Sequence, residues 1–321
     1  MLPLLNLFAP VKMHIPDGFL SVPVALLGWV LAVAAIAFAL RQTRGQLGGK
    51  QIPLMGVMAA FIFAAQAINF PVAGGTSGHL LGGTLAAIVL GPWAAVLVMT
   101  SVISVQALMF QDGGLLALGF NIVNMGVLTA FSGYLLYTSL KRVLGEGRTS
   151  LLVGGAVAAW ASVVLGALAT GIELVGSGTA SFNVALPAMV GVHLLIGLGE
   201  AVITVGALAF IYAGRRDLLD RGASAPAQGA ANWAAVGLGV ALVVAVFSFA
   251  ASPSPDGLER VAEDHGFLDR ALGPMFSILP DYTIPFISNP LVSGILAVVL
   301  GTLVVFGLTL LVARAQRRSQ A

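Results

Sequence analysis

Long apolar runs separated by short polar ones organise this chain from end to end. Runs at 20–40, 52–70, 115–138, 151–174, 183–213, 231–251 and 287–313 each approach or exceed the ~20 residues that a membrane-crossing helix needs. Between 79 and 111 one further run is broken by Gly91-Pro92. Proline lacks a backbone donor and disfavours helix in the residue before it, so this stretch predicts two spans, 79–91 and 93–111. The pattern therefore predicts an all-α, polytopic membrane helix bundle of nine spans.

Composition agrees. The 321 residues are 58% hydrophobic and 9% charged, with a mean hydropathy of +1.00, whereas soluble domains carry about 25% charge. A net charge of +2 gives no basic surface for nucleic acid. With no cysteine, thiolate metal sites, iron–sulfur clusters, disulfides and cysteine nucleophiles are excluded together. Metal chemistry is left to carboxylates, backbone, Met and four histidines: His14, His79, His193 and His265.

Charge placement sets an expected orientation. With the N-terminus outside, the inner segments hold Arg41, Arg44, Lys50, Lys141, Arg142, Arg148, Arg215, Arg216, Arg221, Arg314, Arg317 and Arg318, beside only Glu146, Asp217 and Asp220. Lys12, Arg260, Arg270 and nine carboxylates fall outside, leaving Glu200 within a span. That is the positive-inside distribution, and it places the C-terminus in the cytoplasm. Segment 214–230, charged and then rich in Ala, Gly and Pro, reads as a cytoplasmic linker. It divides a seven-span body (13–213) from a two-span hairpin (231–321) that carries an outer loop, 252–286. No internal repeat is evident, which weighs against a carrier built from inverted repeats. Residues 1–12 are apolar, too short to span, and lack the design of a secretory signal.

Met13-His14-Ile15-Pro16-Asp17-Gly18 has turn chemistry just ahead of the first span. A histidine in such a place is most often solvated. His79, however, falls on the same side, within Gly74-Gly75-Thr76-Ser77-Gly78-His79-Leu80-Leu81-Gly82-Gly83. Irregular backbone at membrane depth is tolerated only against protein or a cavity, so the two histidines suggest a metal site. Asp112 reads first as a turn or cap residue. His193 and Glu200, two helical turns apart, share a face, and a carboxylate inside a span is a functional candidate by default. Its plainer reading is a bond that fixes helix packing. His265 sits in a charged loop and reads as solvated, and the scattered methionines read as core.

Four motifs in order resemble the CbiM/NikM family, the substrate-capture components of energy-coupling factor (ECF) transporters for cobalt and nickel. They are Met-His-Ile-Pro-Asp-Gly-Phe-Leu at 13–20, Asn-Phe-Pro…Gly-Gly-Thr-Ser-Gly-His-Leu-Leu-Gly-Gly at 69–83, Gln106…Gln111-Asp112-Gly-Gly-Leu…Asn121, and His193-Leu-Leu-Ile-Gly…Glu200. Ser254-Pro255-Asp256-Gly257-Leu258-Glu259 resembles the PDGLE segment of NikN-type accessory subunits. The resemblance implies metal ligation by the amine of Met13, by the amide nitrogen and imidazole of His14, and by His79. Asp17, Asn69, Ser77, Asp112, His193 and Glu200 are expected around them. Four nitrogens in a plane suit Ni(II), and imidazole serves Ni and Co alike. A free amine on Met13 requires the functional chain to begin there, with 1–12 a non-functional extension.

The resemblance also implies a coupling membrane subunit (CbiQ/NikQ-like) and ATPase subunits (CbiO/NikO-like), because this chain has no phosphate-binding loop. Uptake of Ni(II) or Co(II) across the cytoplasmic membrane is the expected function, with nickel favoured and no permanently bound cofactor. A passive or secondary metal carrier is the alternative. An enzyme is not expected, as neither His-Glu-x-x-His nor Gly-x-Ser-x-Gly occurs. Since all four motifs precede residue 214, loss of the C-terminal hairpin is expected to reduce transport more than binding.

Overall fold

The computed structural model describes residues 14–219, 230–273, 275–276 and 278–318. Met13, the extension 1–12 and most of the 214–230 linker lie outside these residues. The described chain is almost wholly helical: α1 (Val22–Thr43), α2 (Gln51–Gln66), α3 (Gly83–Leu90), α4 (Pro92–Val105), α5 (Leu118–Asn121), α6 (Thr129–Leu144), α7 (Arg148–Gly176), α8 (Phe182–Gly214), α9 (Ala230–Val246), α10 (Gly257–Asp264) and α11 (Pro290–Arg318). The only strands described, β1 (Phe70–Val72) and β2 (Thr76–Gly78), pair antiparallel. A π-helical turn at Gln106–Phe110 prolongs α4, and another at Ile122–Leu128 joins α5 to α6.

Among the described residues seven helices are long and apolar enough to cross a membrane, and the chain is a multi-pass membrane protein. Two of the nine predicted spans fall short of that length. The 52–70 run is helical only over 16 residues, ending at Gln66. The 79–91 run yields an 8-residue helix, α3, which at ~1.5 Å per residue rises about 12 Å, less than half of a ~30 Å apolar layer. Ahead of it residues 79–82 are irregular and follow the β1–β2 hairpin. Glycines at 74, 75, 78, 82 and 83 disfavour helix in that part of the chain, which the count of apolar residues alone did not register. Gly91, at φ +89, ends α3, and Pro92 opens α4, where a missing N–H costs nothing.

α3 and α4 form the middle of the bundle. α6, α7 and α8 pack on one side, α2 with α9 and α11 on another, and α1 lies against α4 and α5. The burial gradient is steep: 72% of the apolar window of α4 is inside, against 22% for α1 and 17% for α9. Arg41, Lys50, Lys141, Arg148, Arg215 and Arg314 gather at one end, tied by Gly45 N donating to Gln316 O (3.0 Å) and Lys50 Nζ to Asp217 O (3.0 Å). The irregular segments 14–21, 67–82, 111–117 and 251–289 share the opposite end. One carboxylate assignment changes. Glu173, counted from sequence with the outer loops, lies inside α7 and is buried, bonded by Asn124 Nδ2 at 2.9 Å.

Candidate metal centre

The chain ahead of α1 is held in place by other side chains. Asn121 clamps Ile15 from both sides: Ile15 N donates to its Oδ1 (3.0 Å) and its Nδ2 donates to Ile15 O (3.1 Å). Asp17 accepts from three successive amides, Leu115, Leu116 and Ala117, at 3.0, 2.8 and 3.1 Å. It therefore holds the 115–117 turn ahead of α5 rather than facing a ligand. Such closeness requires Gly113 and Gly114. A Cβ on Gly114 would lie 2.0 Å from Asp17 Oδ1, and one on Gly113, at φ +97, would lie 2.8 Å from His14 Cβ.

His14 is then fully buried beside Asp112. Asp112 Oδ1 lies 2.8 Å from His14 Nδ1, and its Oδ2 accepts from the Tyr282 hydroxyl at 2.8 Å. A carboxylate only accepts, so the network puts the proton of His14 on Nδ1 and its lone pair on Nε2. That Nε2 is buried with no hydrogen-bond partner among the described residues. Burial acts to lower the pKa of His14, but the charge and hydrogen bond of Asp112 outweigh it and leave it raised. An imidazole donating its other N–H to a carboxylate is the usual dress of a metal-ligating histidine.

His79 follows the β1–β2 hairpin, turned by Gly74 and Gly75 at φ +79 and +72. Its Nδ1 lies 3.0 Å from Leu80 O, so this ring too carries its lone pair on Nε2. The two imidazole centroids are 5.8 Å apart with planes tilted by 56°. What fixes the hairpin is Glu200. Its Oε2 accepts from Leu81 N at 2.6 Å and its Oε1 from Gly82 N at 2.9 Å, satisfying amides at the start of α3 where negative charge is favoured. One helical face thus does two jobs: Glu200 holds the hairpin, while His193, its Nδ1 donating to Met189 O at 2.7 Å, borders the cavity.

That cavity measures about 60 Å³ and is bounded by His14, His79, His193, Asn121, Asn124 and Asp256, with apolar walls from the 122–128 turn, α7, α8 and α10. A water occupies ~30 Å³ of liquid, so there is room for an ion or two waters. Among the described residues no three His, Asp or Glu side chains converge as a ready-made cage. Three imidazoles, those of His14, His79 and His193, border the cavity with Nδ1 bonded to an oxygen, and the side chains of Asn121, Asn124 and Asp256 border it too.

The C-terminal segment reaches this place, which its position in the sequence did not suggest. Ser77 donates its N–H to Pro255 O (2.8 Å) and its hydroxyl to Ser254 O (2.8 Å). Asn69 O accepts from Ser252 N (2.7 Å), while the Asn69 side chain stays buried and does not border the cavity. Gly257 lies where a Cβ would come within 2.8 Å of His193 Cε1. Asp256 caps α10, its Oδ1 accepting from Glu259 N at 2.7 Å. Burial pushes its carboxyl up to about 7. His265 is exposed. Sequence reading thus missed Asp256, Tyr282, the Asn121 clamp and the Asn124–Glu173 pair. Asn121 stood within a quoted motif, and Asp256 within the PDGLE string. Nothing local marked Tyr282.

Residues 14–218 match the family described as "Cobalt uptake substrate-specific transmembrane region", CbiM, and residues 231–318 match the PDGLE domain. The chain is 36% identical to a putative fused nickel transport protein NikMN of Archaeoglobus fulgidus over 311 residues, 95% of this chain and 99% of that one. It is 32% identical to the fused nickel transport protein NikMN of Rhodobacter capsulatus over 72% of this chain and 71% of that one. Against the cobalt transport protein CbiM of Sorangium cellulosum it is 36% identical, over 65% of this chain and 95% of that protein. A crystal structure of a truncated transition metal transporter superposes with a TM-score of 0.56 at 36% identity, covering 63% of this chain and 99% of that one. With two matches in series and a relative aligned almost end to end, this chain belongs to the CbiM/NikM family, fused to a NikN-like PDGLE segment.

Proposed function

We propose that this protein captures Ni(II) or Co(II) and takes it up across the cytoplasmic membrane as the metal-specific subunit of an ECF-type transporter. Its N-terminus lies outside and its basic end in the cytoplasm. ATP hydrolysis comes from separate CbiO/NikO-like subunits, coupled through a CbiQ/NikQ-like membrane subunit. The observation that carries the reading is the pair of buried imidazoles, His14 and His79, 5.8 Å apart on one cavity. In each, Nδ1 is committed to an oxygen, which leaves Nε2 with the lone pair. Relatives named as nickel and cobalt transport proteins support the choice of ion.

The remaining donors are the amine of Met13 and the amide nitrogen of His14, which makes Met13 the start of the functional chain. A chelate through the amide nitrogen of His14 closes a six-membered ring with Nδ1 of the same residue and cannot reach Nε2. Loading in that mode exchanges the Asp112 hydrogen bond for the metal. Ligation through Nε2 leaves it intact. The test is equilibrium binding of Ni(II) and Co(II) to purified protein, together with uptake measured with and without the ATPase subunits. Saturable binding at one site, lost in His14→Ala and His79→Ala, and uptake that needs ATP are the expected results. Uptake unaffected by removal of the ATPase would favour the passive carrier.

A further inference from the structure

The metal cavity has a problem of charge. With ligation through Nε2 the imidazole, amine and solvent donors are all neutral, and a dication sealed into a largely apolar pocket needs compensating negative charge nearby. Asp112 supplies one carboxylate, behind His14. Glu200 is spent on Leu81 and Gly82, Asp17 on the amides of Leu115, Leu116 and Ala117, and Glu173 is engaged by Asn124. Of the residues that border the cavity itself, one is a carboxylate, and it comes from the other end of the sequence: Asp256.

We propose that Asp256 is the second counter-charge of the metal centre, a cation-facing carboxylate that the PDGLE segment inserts into the cavity of the body. The proposal rests on the cavity being the metal site. Three further observations support it. Asp256 is 3% exposed and borders the cavity together with His14 and His79. Its backbone position is set from outside: Ser254 and Pro255 are bonded to Ser77, two residues before His79, and Gly257 presses on His193. His14 Nε2, buried and unpartnered among the described residues, borders the same space. A buried carboxylate with no cation beside it is costly to ionise, and a dication in the same cavity removes that cost. On this account the C-terminal segment contributes to metal affinity itself, not only to transport.

The test is equilibrium binding of radioactive nickel to the full-length chain carrying Asp256→Asn. Asparagine keeps an acceptor for Glu259 N and is a good N-cap, so charge is removed while α10 is retained. Binding should weaken about 10–100-fold, the usual cost of losing a partner that supports a metal ligand. The unfolding temperature of the metal-free protein should stay unchanged. Asp269→Asn, an equal loss of charge at an exposed position of the same loop, should bind as the parent does. Asp256→Glu, which keeps the charge, should recover most of the lost affinity. Parental affinity in Asp256→Asn, or an Asp256→Glu variant as weak as Asp256→Asn, overturns the proposal. His79→Ala separates the two readings. If it loses binding while Asp256→Asn does not, the metal site stands and the counter-charge falls. If His79→Ala binds normally, the site itself is elsewhere.

Discussion

The body (14–214) and the C-terminal hairpin (231–318) meet at one cavity but are tied to it differently. In the body, irregular chain is pinned by side chains that cross long sequence distances: Asn121 to Ile15, Asp17 to 115–117, Glu200 to 81–82. Each is a buried polar group spent on backbone, and hydrogen bonds to charged partners contribute ~1.5–3 kcal/mol apiece. The hairpin docks mainly by main chain, through the carbonyls of Ser254 and Pro255 on Ser77, and by two helices that lean on α2. Of its described polar side chains, Asp256 borders the cavity and Tyr282 bonds Asp112. A site held by side chains is rigid and specified residue by residue. A cover held by backbone is specified mostly by shape, with its chemistry concentrated in a few positions.

The sharpest break between the two regions comes from removing a ligand of the body. His79→Ala should abolish metal binding and accumulation while leaving membrane insertion and helical content intact, since one imbedded ring contributes little to the packing of so large a bundle. Radioactive nickel uptake and circular dichroism check the two halves of that expectation. Removing the cover comes next. A chain ended before residue 231 should keep a folded body but bind nickel at least tenfold more weakly. Sequence alone predicts a larger loss of transport than of binding, because all four motifs of the metal-capture body precede residue 214. Parental affinity in the truncated chain would return the hairpin to a role in transport only.

How much of this was legible follows from the kind of signal each part leaves. Spans were readable because apolar length is a local property, and the break at Gly91-Pro92 was found for the same reason. The shortening of α3 was not, since apolar residues in buried irregular chain such as 79–82 look like apolar residues in a helix. His14 and His79 stood out as rare polar residues beside glycines, and their ligand role came from resemblance. Glu200 was visible as a carboxylate in a span, but its partners, two backbone amides 118–119 residues away, leave no trace in composition. Tyr282 was invisible, being a tyrosine in a loop whose only mark is where it lands.

Glu200→Gln tests whether the body holds its hairpin as tightly as the geometry implies. A carboxamide can accept one of the two amides but turns its NH₂ toward the other. The metal-free protein should lose about 1–3 kcal/mol, the cost of a buried donor left unsatisfied, read as a lowered unfolding temperature in detergent. Metal affinity should fall by a smaller factor than in His79→Ala, because the ligand is displaced rather than removed. An unchanged unfolding temperature would mean that the β1–β2 hairpin is held by its own turn.

Tyr282→Phe is the mildest probe and the one that isolates the second arm of the hairpin. The ring of Tyr282 stacks on Phe110 with centroids 4.5 Å apart and planes 9° from parallel, and phenylalanine preserves that contact. What goes is one donor to Asp112. Asp112 keeps the His14 Nδ1–H, while the oxygen that accepted from Tyr282 loses that donor. Two effects on His14 oppose each other. A carboxylate with fewer donors is more basic and pulls harder on the His14 proton, which fixes the tautomer more firmly. The same carboxylate is less well positioned, and a ligand orientation set by a carboxylate with one donor fewer is looser. Positioning should win for ligation through Nε2, giving nickel binding about three- to tenfold weaker, in keeping with a net ~1 kcal/mol hydrogen bond. Should the variant bind nickel more tightly, the Asp112 bond is instead an obstacle to loading. The metal would then take Nδ1, and the chelate through the His14 amide would be the operative mode.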